Sequence, residues 1–291
     1  MNVTVLHETI FEYAHPVHSS YTEVRLKPVT DAFQTCHESS LTVDPNRPLL
    51  ETTDYYGGSV ATFNILPSHQ RLVLTAHSVV ETHRDPTVYA PVSEFEARKA
   101  HLDFLRFDGP VEDVPAIEDL VDDSGLRYSE EAFAAVERLN TLIHERFKYA
   151  PLSTDVHTKI SQVFANGGGV CQDFAHIFIA ACRAAGLPAR YVSGYLVTRR
   201  SRSAEGAPAS HAWAEVLLPE RGWCGFDPTN NLLANDFYIK LSNGRDYRDA
   251  SPTRGTYRGG PAETRLRVRV HTLVHEENVG SVLDTRRELV G

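Results

Sequence analysis

The segment from Cys171 to about Ala185 constrains the fold more than any other part of the chain. Phe174, Ile177, Phe178, Ala181 and Cys182 recur at helical spacing and cover much of the circumference. A helix apolar on most of its sides has to be wrapped by other elements, so this one is predicted to be central and buried. Gly186 and Pro188 end it. The wrapping comes next in the chain. Arg190–Val197, His211–Leu218 and Trp223–Asp227 change to period two and to β-forming residues, and Pro219-Glu220-Arg221-Gly222 joins the last two as a turn. Three strands in short succession predict an antiparallel meander packed on the helix.

Upstream, Phe133, Val136, Leu139, Ile143 and Phe147 recur at helical spacing behind Ser129, Glu130 and Glu131, a helix start with acids in its first turn. Ser93 with Glu96 forms a second possible start, a capping box. Residues 2 to about 83 are different. Asn2–Leu6, Tyr21–Leu26 and Arg71–His77 read as strands, and Tyr55-Tyr56-Gly57-Gly58-Ser59 is a hairpin turn. The 291 residues thus divide into an antiparallel β-sandwich over 1–85 and an α+β core over 86–291 that includes the C-terminal strands. Pro86 and Pro91 mark the linker. In the last strand, Arg265–Val270, the row of arginines is predicted to be a solvated sheet face.

The central helix also carries chemistry at its start. Cys171 follows Gly167, Gly168 and Gly169. A helix start aims free backbone N–H groups and the positive end of the dipole at the sulfur, which favours the nucleophilic thiolate. The glycines are expected to let a substrate approach the backbone. An acyl-transfer site also needs a base and a group that orients it. His211 begins one strand and Asp227 ends the next, about equally far from the turn near Arg221, so antiparallel pairing can bring them side by side.

Each residue alone has a plainer reading: Cys171 as a small core residue, His211 as a half-buried strand histidine, Asp227 as an Asp-Pro turn. Together they favour catalysis. The Cys171 backbone N–H is a natural oxyanion donor, and Gln172 is a candidate for a second or a structural polar residue. Trp213 and Trp223, the only tryptophans, are either core packing or the wall of an acyl-binding groove.

A formal charge of −9 makes nucleic acid a poor partner. The basic run Arg199-Arg200-Ser201-Arg202 sits in a polar stretch that reads as a loop. No apolar run is long enough to span a membrane, and the first residues lack the pattern of a signal peptide. Four scattered cysteines form no CxxC pair, so a reducing, cytoplasmic setting is expected. Fourteen histidines form no HExxH or finger spacing, and neither a metal nor another cofactor is expected.

Four stretches in order resemble the bacterial transglutaminase-like proteins: residues 169–176 (GVCQDFAH), 186–195 (GLPARYVSGY), 210–216 (SHAWAEV) and 225–230 (GFDPTN). Gly244-Arg245-Asp246-Tyr247 and Arg254-Gly255 look like the family's C-terminal stretch. The resemblance implies a papain-like core behind an N-terminal β domain, with Cys171, His211 and Asp227 as a triad that forms a thioester from a protein or peptide amide. It leaves the acceptor open: an amine in transglutaminases, water in peptidases and amidases. It also includes inactive relatives that keep the fold as binding proteins. Cys224 stands where an apolar residue such as valine would be expected. No calcium loop of the animal type is visible, so calcium dependence is not implied.

Overall fold

The computed structural model describes residues 1–83, 101–127, 131–197, 210–259 and 264–275. The helix starts expected at Ser93 and Ser129, the linker prolines Pro86 and Pro91, and the basic run 199–202 lie outside these residues. The N-terminal part is organised by one strand. β1 runs unbroken over Asn2–Val24, where the sequence suggested two separate strands. β2 (Gln34–Asp44), β3 (Leu50–Thr53), β4 (Ser59–Ile65) and β5 (His69–Thr82) follow it. The first half of β1 pairs with β5 and the second with β4, with a register shift between Glu12 and Val17. The β3–β4 hairpin turns where the sequence placed it. Asp54 accepts hydrogen bonds from the Tyr56 and Gly58 amides at 3.0 and 2.8 Å.

The helices come next: α1 (Pro115–Ser124), α2 (Ala132–Arg146), then the short strand β6 (Lys148–Tyr149), α3 (Ile160–Asn166), β7 (Gly168–Gly169) and α4 (Cys171–Ala184). Every residue of α4 from Gln172 to Arg183 is buried, as its all-round apolar pattern requires. The sheet wrapping it contains β8 (Ala189–Leu196), β9 (His211–Leu218), β10 (Gly222–Asp227), β11 (Leu232–Leu233) and β12 (Tyr238–Gly244). β8, β9 and β10 are the expected meander. β11 and β12 extend it to the order β11-β10-β9-β8-β12. Ala212, Ala214, Val216, Phe226 and Cys182 join α1, α2 and α4 in one apolar core. No helix among the described residues is long and apolar enough to cross a membrane.

The short helix α5 (Tyr247–Ala250) leads into β13 (Thr253–Arg258) and β14 (Thr264–His275). The sequence reading grouped these last strands with the core. The pairing places them in the N-terminal sheet, β14 along Asn2–Tyr13 and β13 along His18–Val24. β1 thereby has partners on both sides over most of its length, which removes two exposed edges. Alternation within Arg265–Val270 announces a strand but does not say which edge it covers. The arginine row lies on an open face, where Arg267 and Arg269 reach Glu12 at 2.5 Å and Glu8 at 3.6 Å.

The two parts meet at β12. The Gln34 side chain bonds both the Lys240 carbonyl, at 2.9 Å, and the Lys240 amide, at 2.8 Å. It fills the gap left where the β12–β8 register shifts between Lys240 and Ser242. Tyr195, Val197, Ile239 and Leu241 pack with Val3, Val24, Phe63 and Leu74 in a second apolar core.

Candidate active site

Cys171 is the first residue of α4 and is half-buried. The start of the helix is held from two directions. Asp173 accepts hydrogen bonds from the Val170 amide at 2.8 Å and the Thr154 hydroxyl at 2.6 Å. The β6–β7 bridge pairs Lys148 with Gly168, and the Ala150 amide donates to the Gly169 carbonyl at 2.8 Å. The glycines serve this bracing and not substrate access. Gly168 and Gly169 are buried, and a Cβ on Gly168 would lie 2.5 Å from the Lys148 carbonyl oxygen. Gly167 ends α3 at φ +68°, in the left-handed region where glycine is favoured.

His211 reaches the thiol. Its Nε2 bonds Asp227 Oδ2 at 2.7 Å, and the ring interacts with the Cys171 side chain, which leaves Nδ1 as the nitrogen free to face the sulfur. The β9–β10 register sets Phe226 opposite Ala214. Asp227 is therefore two residues short of facing His211, and their bond runs diagonally across neighbouring strands, within reach of such side chains. The turn near Arg221 brings these two residues together as the sequence suggested, with a diagonal offset.

Asp227 is fully buried and heavily bonded. Oδ2 also accepts from Tyr238 Oη and Asn230 Nδ2, both at 2.7 Å, and Oδ1 accepts from the Thr229 amide at 2.9 Å. Burial works against the charged carboxylate, but the bonds from His211, Asn230 and Tyr238 hold its pKa below the usual range. Burial likewise works against a charged His211. The hydrogen bonds and negative charge of Asp227 and Cys171 outweigh it and push the imidazole up to about 10. The site thus favours an imidazolium next to the sulfur, the condition for a thiolate–imidazolium pair. Tyr149 and Tyr191 interact electrostatically with Cys171. Their phenols are raised, first by burial and then by the charge at Cys171. His176, the other histidine of the motif, is fully buried and held near 3 by burial and by Arg183 and Arg248. It accepts a hydrogen bond from the Tyr247 amide at 3.2 Å and is structural.

The remaining sequence candidates separate. Gln172 is buried beside the nucleophile and its Nε2 has no hydrogen-bond partner. Trp213 is fully buried, with its ring stacked 6.4 Å from His211 and edge-on to Tyr238 at 5.3 Å. Of its two readings, packing fits: it is fully buried and backs the imidazole. Gly194 makes room for it, since a Cβ there would lie 2.6 Å from Trp213 Cη2 and 2.1 Å from the Ile239 carbonyl oxygen. Trp223 is not brought to the thiol. It lies at the far end of the β9–β10 hairpin, under the Arg190 guanidinium at 3.9 Å and against His101 and Phe104. Cys224 packs against the helical core.

Sequence reasoning missed Tyr238 because it missed β12. The alternation Tyr238-Ile239-Lys240-Leu241 was the available signal. Asn230 was visible only as a motif letter. Its bond to Asp227 depends on the turn after β10, which is pinned by Asn140 donating to Asn231 Oδ1 at 3.0 Å.

Residues 123–228 match the model of the transglutaminase-like superfamily, and residues 3–81 match the bacterial transglutaminase-like N-terminal region. An uncharacterized protein of Mycobacterium tuberculosis is 34% identical over 270 residues, covering 86% of each chain. A protein-glutamine gamma-glutamyltransferase of Pseudomonas aeruginosa is 34% identical over 108 residues, which are 33% of this chain and 15% of that one. A crystal structure from Cytophaga hutchinsonii, provisionally assigned as a cysteine protease, shares the fold with a TM-score of 0.74. Its identity is 20%, and the match covers 96% of this chain and 92% of that one.

Proposed function

Because the chain belongs to the bacterial transglutaminase-like family, we propose that it is a cysteine-dependent acyl-transfer enzyme that forms a thioester on Cys171 from a glutamine or peptide amide. One observation carries this reading: His211 joins Cys171 on one side and Asp227 on the other. The Cys171 thiolate attacks the amide carbonyl. The oxyanion is met by the Cys171 N–H, which the helix start leaves without an intrahelical acceptor, and by the unpartnered Gln172 amide. The carbon–nitrogen bond breaks as the imidazolium gives its proton to the leaving amine. An acceptor amine then attacks the thioester while His211 takes its proton, and the thiolate is restored. Asp227 keeps the imidazole in one tautomer and stabilises its charged form.

Two measurements test this. The first is the rate of Cys171 alkylation by iodoacetamide across pH, in the wild type and in His211→Ala. A fast reaction persisting well below pH 8 and lost in the variant is expected; an ordinary thiol titration in both would sink the activated pair. The second offers a labelled primary amine with a glutamine-containing peptide. Incorporation of the amine is expected, whereas peptide cleavage without incorporation makes water the acceptor and the chain a protease or amidase.

A further inference from the structure

Leu152 is 99% exposed and holds a left-handed backbone at φ 63°. A leucine in that region is strained, and one wholly in water recovers nothing by burial. Yet its segment is braced. The Ser153 hydroxyl donates to the Ala150 carbonyl at 2.7 Å, the Ala150 amide to Gly169, and the Thr154 hydroxyl to Asp173. The last two of these bonds hold the start of α4, so the segment of Leu152 is tied to the one that carries the nucleophile. Tyr149 and Val156, in the same stretch, are 49% and 42% exposed.

The other side of the triad repeats the arrangement. Asn231, also left-handed at φ 53°, turns the chain into β11, whose Leu232 pairs with Asp227. Leu232 and Leu233 are 47% and 41% exposed, on the terminal strand of the sheet. Exposed apolar side chains are therefore tied to both supports of the triad, by hydrogen bonds to the start of α4 and by strand pairing to Asp227. Exposed apolar surface so placed marks a recognition surface.

We propose that Leu152 with Tyr149 and Val156, and Leu232, which shares the Asp227 face of the sheet, determine specificity, and that the acyl donor is an extended peptide segment with apolar side chains on both sides of the reacting residue. This rests on the acyl-transfer reading of the site. A small amide would engage one of these two apolar groups at most. A peptide reaches both, and the outer edge of β11 offers its backbone to an extended chain.

The test is binding, so that it does not depend on turnover. The full chain carrying Cys171→Ala is titrated into fluorescent octapeptides with a central glutamine flanked by leucine, by glycine or by aspartate. Leucine flanks should tighten binding about tenfold over glycine flanks, the scale of burying part of a leucine on each side. Leu152→Asp and Leu232→Asp should each remove most of that gain. Leu50→Asp, at a 65% exposed leucine on β3, should not. Equal binding of all three peptides, no binding of any, or a leucine preference that survives both Leu152→Asp and Leu232→Asp overturns the proposal. If the preference holds but the wild type neither incorporates amine nor cleaves these peptides, the catalytic reading fails and the recognition surface stands.

Discussion

Replacing Tyr238 by phenylalanine removes one of three hydrogen bonds that converge on Asp227 Oδ2, those from His211, Asn230 and Tyr238, each 2.7 Å long. Tyr238 is 1% exposed and Asp227 is fully buried, so water cannot replace the hydroxyl. A hydrogen bond to a charged group contributes about 1.5–3 kcal/mol, and stability is expected to fall by that amount. The loss should not be confined to stability. With one donor gone, more of the carboxylate's charge falls on the His211 N–H, and the imidazolium is favoured. If a third of the lost energy appears there, the imidazole pKa rises by roughly half a unit. Urea unfolding measures the first effect. Carbon-13 labelling of the histidine rings measures the second, in a Cys171→Ala background that removes the coupled thiol titration. A stability loss with the His211 titration unmoved or lowered would refute the reasoning and reduce Tyr238 to a packing residue.

Two further outcomes follow from the same network. His211 has its pKa raised from 6.5 to about 10, so its charge stabilises the fold fully below about pH 6.5, and that contribution is lost as pH rises through 10. The stability difference between the wild type and His211→Asn, read from urea midpoints, should shrink across that window; a constant difference would contradict the raised pKa. Glu215, with a side chain 2% exposed, pairs Arg190 at 2.6 Å and Lys240 at 2.8 Å. Glu215→Gln leaves the buried Lys240 and the half-buried Arg190 undercompensated and should destabilise by about 3–5 kcal/mol. A loss under about 1 kcal/mol would show that Asp31, 3.0 Å from Lys240, carries that charge alone.

The legible parts of this protein were those in which local pattern and chemistry coincide. A helix apolar on most of its sides is expected to be central, and α4 is. Period-two runs joined by a short turn can only be adjacent antiparallel strands, and β9 and β10 are. A cysteine opening that helix, with a histidine and an aspartate about equally far from that turn, therefore foretold their contact, because hairpin pairing is a local rule. The glycines before Cys171 misled because glycine reports only that a Cβ is not tolerated. Here the obstacle is the Lys148 carbonyl and the Asp173 carboxylate, not a substrate.

Read by itself, the sequence determined the central helix, the meander on it and the three residues at their junction. Each of these depends on periodicity or on a turn a few residues long. Only the tertiary structure decided which edges of β1 the last strands cover, that Trp223 stands apart from the thiol while Trp213 backs the imidazole, and that Tyr238 completes the shell around Asp227. Those outcomes depend on pairings across tens to hundreds of residues. Such pairings are selected by which exposed edge and which buried charge remain to be satisfied once the local elements have formed.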